Sequence, residues 1–160
     1  TLKKYIFIFY FIFFFINCER LELIPATAES INKHISGFKG QKAVLVNVWA
    51  LWCIPCIEEF PMIVKLDNEI KDLEVVFISA DFKDQMENVI EFLSSFEVGY
   101  KSYIKDEKDE PFIMGINQNW TGSLPFTIIY SKKSGSVIDS WEGKKSETKF
   151  KSAINIAINS

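Results

Sequence analysis

Two cysteines stand three residues apart in the run Trp52-Cys53-Ile54-Pro55-Cys56, and that spacing is chemically specific. At the start of a helix, the first cysteine lies beside unpaired N–H groups and the positive end of the helix dipole, where a thiolate is favoured. The second lies one turn inward, close enough to form a small-ring disulfide but less accessible. Cys53 is thus the expected solvent-facing, attacking thiol, and Cys56 the thiol that resolves the mixed disulfide. Pro55 falls in the first turn, where its missing N–H costs little. A zinc site would need two further ligands, and the chain offers only the distant Cys18 and His34. A purely structural bridge across three residues closes too small a loop to add much stability. Glu59 follows Cys56 by three positions and shares its helix face, whereas Glu58 points elsewhere. It could relay a proton to or from Cys56 and tune both thiols; its plainer reading is a solvated helix carboxylate. His34, the one histidine, is expected to lie exposed on the first helix, so the thiolate would need no histidine base.

The elements that must position these groups follow from the hydrophobic pattern. Ala43 to Trp49 (AVLVNVW) is short, β-branched and almost wholly apolar, as in a buried parallel strand. Trp52 to Cys56 bends into a helix running to about Ile70. A second buried strand is expected at Val75–Ser79, a helix at Asp84–Phe96, a weaker strand at Lys101–Ile104 and a helical turn at Pro111–Ile116. The strands Phe126–Tyr130 and Val137–Trp141 flank Ser134-Gly135-Ser136, which suits an antiparallel hairpin, and Glu147–Ile158 closes the chain as an amphipathic helix. Thr27 should cap a brief helix reaching Ile35. The loop Asp106–Glu110 reads as solvated and Trp120 as packing. The whole predicts a single α/β domain over residues 27–160: a mixed sheet of about five strands flanked by helices, with a helix–strand insertion near residues 83–104.

The run from Val46 to Pro61 (VNVWALWCIPCIEEFP) resembles the active-site region of TlpA-like and ResA-like thioredoxin-fold proteins, membrane-tethered reductases on the outer side of bacterial cytoplasmic membranes. The resemblance continues through Gly122-Ser123-Leu124-Pro125-Phe126 and the Gly135 hairpin to Trp141 and Gly143, covering most of residues 38–158. It implies a thioredoxin-like fold and reduction of disulfides in other exported proteins through Cys53 and Cys56. It makes Pro125 a cis-proline facing the disulfide, with the Leu124 backbone pairing to an extended substrate strand and Trp52 beside them. Glu59 matches the acidic position of the family's CxxE pattern. Two positions depart: Phe126 replaces the usual Thr after the cis-proline, and Asn47 stands where thioredoxins proper carry a buried Asp, which leaves proton handling to Glu59 or water. No cofactor is implied, so electrons must come from a membrane-embedded thiol donor. An oxidase of the same fold stays open, since Ile54-Pro55 does not fix the redox poise. A peroxidase would want Thr where Ala50 stands, three residues before its reactive cysteine. A non-enzymatic binding module is the third class.

Residues 1–17 read as a signal peptide, with Lys3 and Lys4 ahead of the twelve-residue apolar run Tyr5–Ile16, too short for a stable span. Beyond them the chain carries sixteen basic and twenty-one acidic residues, a net charge of −5, which argues against nucleic acid as a partner. Cys18, in Phe15-Ile16-Asn17-Cys18, resembles the lipid-attachment cysteine of bacterial lipoproteins, which would anchor the protein to a membrane on the exported, periplasmic face. Residues 18–26 then form a tether that ends in a first extended piece.

Overall fold

The computed structural model describes residues 21–160. Six strands, β1 (Glu22–Ala26), β2 (Ala43–Trp49), β3 (Leu73–Ser79), β4 (Lys101–Lys105), β5 (Phe126–Tyr130) and β6 (Val137–Glu142), form one sheet in the order β1-β4-β3-β2-β5-β6. The first four are parallel, while β5 runs antiparallel to β2 and β6 antiparallel to β5. Five helices cover it: α1 (Ala28–Ser36), α2 (Ile54–Glu69), α3 (Met86–Ser95), α4 (Asp109–Ile116) and α5 (Glu147–Asn159).

The central strand β2 is buried at every position, which is why it lacks polar alternation. Leu45 and Trp49 pack on one face with Phe60, Ile63 and Leu66 of α2, Val89 and Leu93 of α3, and Phe150 and Ile154 of α5. Val44, Val46 and Val48 face the other way, among Ile31 and Ile35 of α1 and Phe112 and Ile116 of α4. The first face is built on aromatic rings: Phe60 stacks on Phe77 at 4.3 Å and lies 5.0 Å from Trp49. Deleting such a ring costs about 3–5 kcal/mol. On the second face α4 approaches α1 so closely that a Cβ on Gly115 would sit 2.6 Å from that of Ala28.

The inserted helix and strand lie as expected, in α3 and β4, after a short 3-10 turn at Lys83–Gln85. The sheet has six strands rather than about five because part of the expected tether is structural: Glu22–Ala26 pairs in register with Lys101–Lys105. Pro25 is tolerated there because β1 is an edge strand with one neighbour. Thr27 caps α1 as expected, its side chain accepting from the Ser30 N–H. His34 is half-buried rather than exposed, its ring edge-on to Phe38 and 5.5 Å from Tyr103, and burial, reinforced by Lys101, lowers its pKa. The acidic loop is tied down rather than merely solvated: Asp106 pairs with Lys83, Asp109 with Lys105, and Glu107 accepts the Ala28 N–H at the start of α1.

Candidate active site: a disulfide at a helix N-terminus

β2 delivers the chain to the end of the sheet, where Ala50-Leu51-Trp52 turns it into α2. Cys53 is the N-cap residue of that helix, with extended backbone angles and no side-chain cap bond, and Pro55 lies in the first turn. The Cys53 carbonyl accepts the N–H groups of Cys56 and Ile57 at 3.0 and 3.1 Å, while the Ile54 N–H, at the first helical position, has no intrahelical acceptor. Cys53 and Cys56 are joined by a disulfide with an S–S distance of 2.03 Å. The expected contrast in exposure is small in this bonded state: Cys53 is 6% and Cys56 2% exposed. Both pack into the core, against which Leu51 and Leu124 also lie. The exposed surface here belongs to Trp52 and Ile54.

Glu59 lies one turn beyond Cys56 and is buried, not solvated. Its Oε2 accepts the backbone N–H of Lys145 at 2.9 Å, and its Oε1 faces the Asn47 Nδ2 at 3.4 Å. Asn47 also donates to the Thr127 hydroxyl at 3.2 Å, joining β2, β5 and α2 in one polar contact inside the core. Burial raises the pKa of Glu59 above the ordinary carboxylate range, against the opposing pull of the Lys145 N–H and Asn47. Glu58 is exposed and pairs with Lys144 at 2.7 Å.

The loop before β5 reaches the same end of the sheet, because Phe126 pairs with Val48. The Leu124–Pro125 peptide bond is cis, as expected. Gly122 takes a positive φ of 94°, open to glycine at no steric cost. Glu142 of β6 holds the loop from outside, accepting both the Thr121 N–H at 2.6 Å and its hydroxyl at 3.0 Å. Trp120 is packing, stacked on Phe126 at 4.8 Å with its indole N–H donated to the Ser123 carbonyl.

Sequence reasoning missed Asp81. It follows β3, is 2% exposed, and accepts the Leu51 N–H at 3.0 Å and the Ser79 hydroxyl at 2.8 Å. It therefore fixes the turn leading into Trp52 and Cys53. No spacing pairs residue 81 with residue 51; the polar Ser79 and Asp81 closing an apolar strand were the only signal. Glu142 and Thr127 were missed for the same reason. Cys18 and the leader lie outside the described residues. Among the described residues no group of three His, Cys, Asp or Glu side chains could hold a metal ion, and no helix is long and apolar enough to cross a membrane.

The thiol:disulfide interchange protein CycY of Rhizobium leguminosarum bv. viciae is 30% identical over 95 residues, 57% of this chain and 50% of that protein. The thiol:disulfide interchange protein DsbE of Pseudomonas fluorescens biotype C is 32% identical over 102 residues, 64% of this chain and 52% of that protein. The chain thus spans about half the length of these relatives. A crystal structure of a thiol:disulfide interchange protein of the thioredoxin family from Chlorobium tepidum TLS superposes with a TM-score of 0.63 at 25% identity, covering 76% of this chain and 83% of that one. This likeness agrees with the six-stranded mixed sheet and its flanking helices. Residues 21–151 match the Redoxin family model, and the chain, with its thioredoxin-like fold and its disulfide at the start of α2, belongs to that family.

Proposed function

We propose that the protein is a thiol–disulfide oxidoreductase that reduces disulfides in other exported proteins. The observation that carries this reading is a disulfide at a helix N-cap with a buried carboxyl of raised pKa one turn beyond it. In the reduced protein the Cys53 thiolate attacks one sulfur of a substrate disulfide. The substrate S–S bond breaks, a Cys53–substrate disulfide forms, and the departing sulfur takes up a proton. Cys56 then loses its proton and attacks the Cys53 sulfur, which restores the 53–56 disulfide and releases the second substrate thiol. Two electrons have passed to the substrate, and a membrane-embedded thiol donor returns them to the protein. No other cofactor enters the cycle.

Glu59 is the group suited to take the Cys56 proton and give it back, since it shares the helix face of Cys56 and its proton is held more tightly than that of an exposed carboxyl. Asn47 suits both charge states. It donates Nδ2 to the carboxylate, and after a half-turn of its amide it can accept a carboxyl proton through Oδ1, with the Thr127 hydroxyl switching from acceptor to donor. Trp52, Leu124 and Pro125 form the rim on which the substrate chain lies.

The reduction potential of the Cys53–Cys56 couple tests the direction. A value near or below that of thioredoxin, about −270 mV, supports the reductase, and one near about −120 mV makes the protein a disulfide donor. Cys56→Ser should trap the substrate on Cys53. We also assign Cys18 as a lipid-bearing anchor residue on the exported face, and the intact mass of membrane-extracted protein tests it: an unmodified Cys18 in the mature chain removes the anchor.

A further inference from the structure

Beside the disulfide lies a slot of about 230 Å³ whose walls are Trp52, Phe82, Phe112, Ile113, Trp120 and Leu124. Two of these rings stand in solvent, Trp52 at 69% and Phe82 at 72% exposure, so apolar surface is left wet at its mouth. Its one cation, Lys105, is already paired with Asp109 and lies 5.8 Å from the Phe82 ring centroid, which leaves no free charge to receive a charged group. Position supplies the occupant. Trp52 immediately precedes Cys53 and Leu124 immediately precedes Pro125, so the slot is continuous with the surface a protein substrate must cover. A substrate held by a disulfide to Cys53 has its neighbouring residues at about 3.3–3.6 Å spacing along the chain, which brings one of them over the slot.

We infer that this slot takes a bulky apolar or aromatic side chain of the substrate within two residues of its reactive cysteine, and that Phe82 is a specificity-determining residue for it. The inference deepens the oxidoreductase reading and rests on it. Phe82 lies outside both the cysteine motif and the cis-proline loop, and it owes its place to the anchored neighbour Asp81, which accepts the Leu51 N–H.

The test uses short peptides whose single cysteine carries a thionitrobenzoate group as a mixed disulfide, so that attack by Cys53 on the peptide sulfur releases a coloured thiolate. One peptide has Ser at every flanking position, and four others place a single Trp at −2, −1, +1 or +2. With the reduced wild-type protein, at least one Trp peptide should react with a single-turnover second-order rate constant about tenfold above that of the all-Ser peptide, as burial of a large apolar side chain implies. In Phe82→Ser that ratio should fall to within about twofold of one; Phe82 packs in no core, so the variant tests the wall and not the fold. Equal rates for all five peptides with the wild type overturn the slot while leaving the oxidoreductase intact. Reaction with none of them, nor with the free aromatic disulfide, overturns the oxidoreductase reading itself. A Trp preference that disappears as the protein is concentrated into dimers gives the slot to a second copy of this chain and overturns the substrate assignment.

Discussion

Two carboxylates are buried at the same end of the sheet, and they are held in opposite ways. Asp81 receives a backbone N–H from Leu51 and a hydroxyl from Ser79, and its own N–H returns to the Ser79 oxygen. Its partners are the last residue of β3 and the turn before α2, so the arrangement suits one geometry. Glu59 meets one backbone N–H and one amide, at 2.9 and 3.4 Å, and the amide can turn round. Burial raises its pKa, which makes its ionised form the less comfortable one. Equal burial therefore does not mean equal purpose: Asp81 holds the turn before Cys53 in place, whereas Glu59 has the partners and the raised pKa that the proposed proton relay needs.

The sharpest break of this comparison is at Asp81. Asp81→Ala leaves the Leu51 N–H and the Ser79 hydroxyl without their acceptor inside the fold, and should lower unfolding free energy by about 2–3 kcal/mol in a urea titration. Asp81→Asn keeps an acceptor for Leu51 and should lose less than half as much. Equal losses would mean that the charge, not the geometry, holds the turn.

Glu59→Gln should have a smaller effect on stability and a visible one on pH dependence. With the folded pKa raised, the native state binds more protons than the unfolded chain in the window from the ordinary carboxylate value up to the raised one. Stability of the parent protein therefore falls as pH rises through that window. The melting temperature of Glu59→Gln minus that of the parent should grow with pH across it, and the pH profile of thiol alkylation in the reduced protein should move. Asn47→Ala removes a donor that opposes the raised pKa, so it should push the same profile further upward. An unshifted profile in both variants would make Glu59 structural, like Asp81.

The smallest effect belongs to Glu58→Gln. Its pair with Lys144 is solvent-exposed on both sides, and such pairs contribute about 0–1 kcal/mol. Stability and pH profile should both match the parent, which supplies the control for its neighbour.

The sequence made the placement of the candidate site legible wherever it was local. Cys53, Cys56 and Glu59 are set by helical spacing within seven residues, and β2 and β5 by unbroken apolar runs. The cis Leu124–Pro125 bond was legible through resemblance to a family motif. Long-range partners were not. Asp81 binds a residue 30 positions away, Glu142 one 21 positions away, and a lone acid after a strand reads as a loop charge. β1 was obscured by Pro25 and by its lack of alternation, because an edge strand borrows its conformation from its neighbour. His34 misled because a helix surface becomes a buried face once Tyr103 of β4 lies against it.

The edge strand β1 also decides how a tethered domain would stand. Only residues 19–21 separate Cys18 from the start of β1, and three extended residues reach about 10 Å. β1 belongs to the parallel set with β2, so its first residue lies at the end of the sheet opposite Cys53. A lipid on Cys18 would pin that far end to the bilayer and raise the disulfide by about the length of β2, roughly 23 Å. With the domain upright on so short a leash, the thiols proposed to recharge it would have to act about that far above the bilayer surface.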